Sequence, residues 1–222
     1  MVAAASKDKQ VPSGIEARRK AALADGNVAY TARRREIVQA AAHVFRERGP
    51  EATLRDVAEV LGTDRASLYY YVGSKEELLQ EIVSGALDLD IKAAETVKKS
   101  RANTPDKIRA LIESMVTSYA DNFPHMHVYI EDLGRIARQD SEWSVGVLEQ
   151  TRAYEAIVMS ILNKGRSDGS LRSDLPVHAS AMALFGMVNW MHRWWRPGYQ
   201  STPAEIARTF SDIFLGGYGT GA

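Results

Sequence analysis

A glycine between two amphipathic segments is the feature that most constrains how this chain can fold. Leu54, Val57, Ala58 and Leu61 recur at the spacing that places them on one face of a helix. Gly62 follows directly and predicts the end of that helix, because glycine adopts the left-handed C′ conformation without steric cost. The sequence therefore predicts a short helix that stops sharply inside a well-packed region.

The residues after this glycine predict a second short helix and then a third, longer one. Asp64 is suited to cap a helix over residues 65–72, because its carboxylate accepts hydrogen bonds from free N–H groups. Ser74 begins the sequence Ser-Lys-Glu-Glu, a capping box with Glu77 at N3. Two short helices joined by a glycine-containing turn are typical of a helix-turn-helix. In such a unit the second helix enters the DNA major groove, with its N-terminal residues facing base edges.

The same stretch resembles the DNA-binding domain of TetR-family transcriptional regulators. The resemblance runs from about Arg34 to Leu79 and includes the pair Leu68-Tyr69 and the segment Ser-Lys-Glu-Glu-Leu. We expect Arg65 to suit a bidentate contact to guanine, and Lys75 to meet a phosphate at a helix N-terminus. Double-stranded operator DNA is the expected partner. The candidate DNA-contact residues are Arg34, Thr53, Arg65, Ala66, Ser67, Tyr69, Tyr70, Tyr71 and Lys75.

The charge distribution agrees with DNA binding although the net charge of the chain is zero. Residues 1–35 carry eight Lys and Arg against three acids, and phosphate binding depends on such local charge. We predict a basic N-terminal extension over residues 1–30, which is either an arm that reaches DNA or a solubilising tail. The helix-turn-helix domain is assigned to residues 31–77, and a ligand-binding and dimerisation domain to residues 78–222.

Composition bounds the remaining possibilities. The chain has no cysteine, which fits a cytoplasmic protein, and no run of 18 apolar residues that would span a membrane. Its five histidines do not show the spacing of a metal site, and no phosphate-binding glycine loop or nucleophile elbow is present. We therefore expect no metal, no cofactor and no enzymatic activity.

The remainder of the chain predicts helices throughout. The expected fold class is all-α, with about nine or ten helices, an N-terminal three-helix DNA-binding domain and a C-terminal helical domain. One long helix is predicted from Ser74 to about Lys98, and the next is expected to use Thr104 as its cap and Pro105 at its first position. The last helix is expected to fray at Gly216-Gly217.

The apolar segment from Val177 to Trp195 is predicted to be a helix buried on more than one side. It is suited to a dimer interface or to one wall of a ligand cavity, although plain monomer core would also explain it. The segment LFGMVNWMHRWWRP is similar to the C-terminal domain of TetR-type regulators of fatty-acid and steroid catabolism. Arg193 or Arg135 is suited to meet a carboxylate or phosphate of a ligand. The candidate ligand-binding residues are Met115, Tyr119, Phe123, Met126, Tyr129, Trp143, Trp190 and Trp194.

These features together predict a ligand-responsive transcriptional repressor. The resemblance implies a homodimer that is released from a palindromic operator when a small apolar or acyl-type effector pivots the fourth helix. The alternative is an all-α carrier or enzyme that acts on an apolar small molecule, with a basic N-terminus of no functional importance. Such an enzyme would need a catalytic constellation, which the sequence does not offer.

Overall fold

The computed structural model describes residues 27–138 and 141–220, and most of these residues are helical. The chain forms two compact units, and the division between them lies between Glu81 and Ile82. The predicted N-terminal extension lies outside the described residues except for residues 27–30. Within the described ranges there is no strand beyond one isolated bridge between Leu171 and Gly219.

Nine α-helices are found in these ranges, which confirms the all-α prediction. They are α1 Val28–Arg48, α2 Leu54–Val60, α3 Arg65–Tyr71, α4 Lys75–Lys99, α5 Thr104–Asp121, α6 His125–Ile136, α7 Glu142–Ser167, α8 Val177–Asn189 and α9 Pro203–Tyr218. Two short 3₁₀ helices cover Gly49–Glu51 and Trp190–Arg193.

The first unit is a three-helix core formed by α1, α2 and α3, followed by the first residues of α4. The apolar stripe of α1 is buried as its periodicity predicts, and Val57 and Leu68 are completely buried. Leu61 is only half-buried, because α2 ends at Val60 and Leu61 serves as its C-cap. Gly62 has a φ of 60°, the left-handed conformation that the sequence predicts at this turn.

Local caps fix where the short helices of this unit begin. The Thr53 hydroxyl and the Asp56 carboxylate form a reciprocal capping box at the start of α2. At the start of α3, the Asp64 carboxylate accepts a 2.8 Å hydrogen bond from the Ser67 N–H. These caps hold α2 and α3 as separate helices on either side of the turn at Gly62.

The second unit is a bundle in which α5 packs extensively on α9 and also contacts α6, α7 and α8. The cap of α5 lies one residue earlier than predicted, since the Asn103 side chain accepts from the Asp106 N–H at 2.8 Å. Thr104 is the first helical residue, and its hydroxyl donates instead to Asp168 at 2.9 Å. The hydroxyl of Thr104 thus links the start of α5 to the end of α7.

Two predicted helix boundaries near the end of the chain are wrong. The apolar segment is not one helix to Trp195, because α8 ends at Asn189 and the chain continues as the 3₁₀ helix Trp190–Arg193. The last helix does not fray at Gly216-Gly217 but continues to Tyr218, which is buried. Burial of Tyr218 holds the end of α9 against the unit despite two residues of low helix propensity.

Candidate nucleic-acid interface and ligand cavity

An open groove on the first unit brings together four of the predicted DNA-contact residues. Three of them lie at the N-termini of α2, α3 and α4, namely Thr53, Arg65 and Lys75. The fourth, Tyr69, lies on the side of α3. Arg55 lines the same groove, and sequence reasoning missed it although it follows Thr53 by two residues. The groove therefore combines three cationic side chains with the N-termini of three successive helices, an arrangement that suits phosphate groups.

Arg65 is held in position by the side chain one turn further along α3. Its guanidinium donates a 2.8 Å hydrogen bond to the Tyr69 hydroxyl and lies over the Tyr69 ring, 5.2 Å from its centroid. Tyr69 is itself half-buried, so its restricted side chain limits the positions that the guanidinium can adopt. This preorganisation reduces the side-chain entropy that Arg65 would lose on meeting a base edge.

Lys75 lies at the first turn of α4, beside the 3₁₀ helix that follows α1. Its ammonium donates to the carbonyl of Pro50 at 2.6 Å and lies 5.6 Å from the centroid of the Phe45 ring. These two contacts hold the Lys75 ammonium in the groove.

Arg34 is placed differently from the other candidates. Its side chain is only 11% exposed, and it donates to the carboxylates of Glu77 and Glu81 and to the carbonyl of Tyr71. Burial lowers the pKa of Arg34, but the hydrogen bonds and charges of these two carboxylates outweigh burial and raise it overall. The guanidinium thus links α1 to the start of α4, and the contact of Arg34 with DNA stays a prediction.

The remaining candidates divide between the surface and the interior of the first unit. Ala66 and Ser67 are exposed on the first turn of α3, and Tyr70 is 40% exposed. Tyr71, another candidate for DNA contact, is half-buried, because its ring packs against that of Tyr30 with centroids 5.0 Å apart. Tyr71 therefore serves mainly to dock α3 on α1.

The second unit contains a partly enclosed cavity of about 140 Å³. Four of the eight predicted ligand-binding residues line it, on α5 and α6: Met115, Tyr119, Met126 and Tyr129. Its other walls come from α4, α7 and α8. The lining residues that sequence reasoning missed are Asp90, Ile130, Leu133, Thr151, Tyr154, Glu155, Met182, Phe185, Val188 and Asn189.

Asp90 of α4 is the most unusual group in this cavity. It is only 5% exposed, and its Oδ1 finds no hydrogen-bond partner among residues 27–138 and 141–220. Burial raises the pKa of this carboxyl to about 6, with a hydrogen bond from Ser118 acting in the opposite direction. No sequence pattern identifies this residue, because an acid within a helix is usually solvent-exposed.

Two tyrosine hydroxyls complete the polar part of the lining. Burial raises the pKa of Tyr129 to about 12, partly offset by a hydrogen bond with Thr151. Burial also raises the pKa of Tyr154 well above its usual value, and the nearby charge of Asp90 adds to this. Both phenols are therefore neutral near pH 7, so they offer hydroxyl donors and acceptors and no negative charge.

The four other predicted ligand-binding residues do not line this cavity. Phe123 packs edge-on against Trp195 and in a tilted arrangement against Tyr119. Trp143 lies half-buried in the first turn of α7. Trp190 is 62% exposed and Trp194 stacks edge-on against Tyr199, because both follow the end of α8 at Asn189. An α-helix continuing to Trp195 would have placed these two side chains, which are four residues apart, on the same face.

The two arginines predicted to meet a ligand anion are also placed outside the cavity lining. Arg135 donates to Asp132 at 2.8 Å, and Arg193 lies 3.8 Å from Glu131 and over the Trp190 ring. Each guanidinium is thus close to an acid of α6.

Two other features, a metal-binding cluster and a membrane-spanning helix, are absent from the described part of the chain. It contains no cluster of three or more His, Cys, Asp or Glu side chains suited to a metal ion. None of the helices described is both long enough and apolar enough to cross a membrane.

Comparison with known protein families assigns both units. Residues 37–82 match the family described as bacterial regulatory proteins, tetR family, and residues 101–218 match the tetracyclin repressor-like C-terminal domain. The chain belongs to the TetR family. It is a DNA-binding transcriptional regulator, as its helix-turn-helix predicts.

Two relatives and one solved structure extend the similarity over most of the chain. The HTH-type transcriptional repressor KstR2 of Rhodococcus jostii is 31% identical, covering 87% of this chain and 95% of its own. The repressor of that name from Mycobacterium tuberculosis is 29% identical, over 83% of this chain and 92% of its own. The solved structure of the ketosteroid transcriptional regulator KstR2 of M. tuberculosis has a TM-score of 0.80 at 28% identity, and it covers 85% of this chain and 95% of that one.

Proposed function

We propose that this TetR-family regulator is a homodimeric repressor, which binds a palindromic operator and is released by a small apolar or acyl-type effector. The observation that carries the proposal is the groove of the first unit. There Arg65 is held at the N-terminus of α3 by Tyr69, with Lys75 at the start of the next helix. Base-reading and phosphate-binding groups thus share one surface.

The roles within this surface follow from the chemistry of each side chain. Arg65 is proposed to read a guanine, while the exposed Ala66, Ser67 and Tyr70 of α3 contact neighbouring bases in the major groove. A second group is proposed to bind phosphates, because it sits at helix N-termini where free amides and the helix dipole favour anions. This group consists of Thr53, Arg55 and Lys75.

The dimer is proposed to form through α8 and α9, which pack against each other in the second unit. Helix α8 exposes Ala179, Ala183 and Gly186 at helical spacing, and α9 exposes Ile213, which is 61% accessible. Small side chains allow close helix approach, and an exposed apolar residue beside them favours association. A two-fold dimer would present two recognition helices to half-sites about 34–36 Å apart.

The effector is proposed to occupy the cavity of the second unit, whose walls are mostly apolar. Helix α4 begins at Lys75 in the DNA-binding unit and carries Asp90 into the cavity lining, so one helix serves both sites. An effector can change operator affinity only by binding one conformation of the protein more tightly than the other. The relative named a ketosteroid transcriptional regulator supports an apolar effector here.

Fluorescence anisotropy on the full-length chain tests this function. Labelled duplexes from the region upstream of the protein's own gene are compared with scrambled duplexes of the same length at fixed salt. We expect a preference of about a thousandfold or more for the upstream duplex, and a stoichiometry of one dimer per palindrome. Short-chain acyl-CoA thioesters and neutral alcohols are then titrated into the complex to find a releasing ligand. Equal affinity for both duplexes would contradict the proposal.

A further inference from the structure

The charged side chains at the polar end of the cavity favour one class of ligand, and the family assignment does not predict this class. Asp90 and Glu155 both line it, whereas no lysine, arginine or histidine is among its described lining residues. Asp90 is 95% buried in terms of accessible surface, and Oδ1 has no partner in the described structure. A buried acceptor without a hydrogen bond raises the free energy of the folded protein. A ligand that donates a hydrogen bond to this acceptor removes the penalty, which adds to the free energy of binding.

We propose that the effector presents a hydrogen-bond donor, a hydroxyl or an amino group, to Asp90 Oδ1, and that it carries no anionic group inside the cavity. This inference rests on the proposed function, since it names the chemistry of the ligand that the same cavity takes. The apolar body of the ligand lies against Met115, Met126 and Phe185. A carboxylate placed there would face two acids without a counter-cation, and would lose its hydration as well.

The size of the cavity bounds the part of the ligand that enters it. A volume of about 140 Å³ is close to that of an engineered apolar cavity that binds benzene. One ring or a short branched chain with a single polar substituent therefore fills this space. The acidic end of a fatty acid, or the nucleotide part of a thioester, must lie outside it.

Four probes of matched size test the proposal on the full-length protein without DNA: ethylbenzene, benzyl alcohol, benzylamine and benzoate. Dissociation constants are measured by ligand-observed NMR for the wild type, Asp90→Leu and Asp90→Asn. The informative quantity is the ratio of affinities between two probes in one variant relative to the wild type, because this ratio cancels the hydrophobicity of each probe.

We expect Asp90→Leu to lower the affinity of benzyl alcohol relative to ethylbenzene by about tenfold or more, the effect of losing a hydrogen bond to a charged acceptor. Asp90→Asn keeps an acceptor oxygen, so it should weaken benzylamine much more than benzyl alcohol. Benzoate should not bind the wild type in competition with benzyl alcohol. Circular dichroism confirms folding, which Asp90→Leu should preserve because it removes an unpaired polar atom.

Two outcomes would overturn the inference: an alcohol-to-ethylbenzene ratio that Asp90→Leu leaves unchanged, or benzoate binding as tightly as the alcohol. If Asp90→Leu does not fold, Asp90→Asn provides the test. The inference is overturned if this variant loses the same affinity for benzylamine as for benzyl alcohol, or loses affinity for neither. Failure of the proposed function has a different signature. In that case the alcohol binds through Asp90, but operator affinity in the anisotropy assay does not respond to it.

Discussion

The Arg34 guanidinium of α1 donates a 2.9 Å hydrogen bond to the carboxylate of Glu77, which in turn accepts a 2.8 Å hydrogen bond from the N–H of Gly73. Arg34 also donates to the carbonyl of Tyr71, the last residue of the recognition helix α3. One largely buried arginine thus holds both sides of the turn between α3 and α4. The orientation of the recognition helix depends on this arginine, which need not contact DNA itself.

Replacing Arg34 with methionine should destabilise the first unit by about 1–3 kcal/mol, because two carboxylates and a carbonyl lose their shared donor. Hydrogen exchange followed by mass spectrometry measures this on residues 28–81 of the full-length chain. Arg33→Met is the matched control, since among the described residues Arg33 pairs only with the exposed Glu36 one turn away, and such pairs contribute little. Normal protection in Arg34→Met together with weaker DNA binding would instead make Arg34 a phosphate contact.

Substitutions of the DNA-facing residues should have different effects, depending on whether the residue contacts a phosphate or a base. Lys75→Gln and Arg55→Gln should weaken operator and scrambled duplexes alike, and each should reduce the log–log salt slope by about one unit or less. Arg65→Ala should reduce the preference for operator by about 1–3 kcal/mol if it reads a guanine. Anisotropy titrations at several salt concentrations give both quantities. A loss confined to the operator in Lys75→Gln would contradict its phosphate role.

Thr53 needs a more careful substitution than alanine. Its hydroxyl caps α2, so Thr53→Ala would lose about 0.5–2 kcal/mol of stability as well as any phosphate contact. Substitutions of the groove cations Arg55, Arg65 and Lys75 therefore report more directly on DNA binding than a substitution of Thr53 does.

The buried Asp90 should make stability depend on pH in a direction opposite to most carboxylates. Its folded-state pKa of about 6 lies above the unfolded value of 3.8, so the folded state holds the proton more tightly. The corresponding stability is fully present below the unfolded pKa and is lost as pH rises through about 6. Above that pH, Asp90→Asn should therefore be more stable than the wild type by on the order of 2–3 kcal/mol.

Urea unfolding of both proteins at pH 8 and at pH 4.5 measures this difference. The advantage of Asp90→Asn should shrink at the lower pH, where wild-type Asp90 is mostly protonated in the folded state. Comparing two variants at each pH cancels the titration of Glu155, the other acid of the cavity. A constant difference between the two proteins at both pH values would show that Asp90 is not buried as described.

Sequence reasoning succeeded where the physical cause lies within one turn of a helix. The left-handed Gly62 and the cap at Asp64 depend on neighbouring residues, and both were predicted. Asp90 and the structural role of Arg34 depend on residues distant in sequence, so no local pattern reveals them. The predicted ligand-binding residues illustrate both cases. Four of them, on α5 and α6, line the cavity, whereas Trp190 does not, because α8 ends at Asn189.

Gly165 is a second example of a position determined at long range. A Cβ atom added there would lie 2.6 Å from the side chain of Leu171 and 2.7 Å from that of Thr104, both of which are buried. Gly165→Ala should thus cost about 1–3 kcal/mol, the usual effect of overpacking. Gly146 of the same helix has open space at that position, so Gly146→Ala should stabilise by about 0.5–1 kcal/mol.

Tryptophan fluorescence during urea unfolding reports on the second unit, because all four tryptophans lie after residue 82. The two glycine-to-alanine substitutions in α7 should change the free energy of unfolding in opposite directions, so each serves as the control for the other. If both alanines stabilise the protein, α5 and α7 do not approach each other closely at Gly165.

The last prediction concerns assembly through α8 and α9. Ala183 and Ile213 are both exposed in the single chain, so charged replacements there should leave the fold of each subunit intact. In a dimer that buries this face, Ala183→Glu combined with Ile213→Glu would place unpaired carboxylates in an apolar interface. We expect the wild type to be a dimer at micromolar concentration without DNA, and the double variant to be a monomer.

Operator affinity should decrease when the dimer is lost, because a monomer reaches only one half-site and lacks the second set of contacts. Val145→Glu is the matched control, since Val145 is an exposed apolar residue of α7 and its replacement should leave the dimer unchanged. Sedimentation equilibrium of all three proteins, with anisotropy measured in parallel, separates loss of assembly from damage to the groove. A double variant that still dimerises and binds operator normally would place the interface on another surface of the chain.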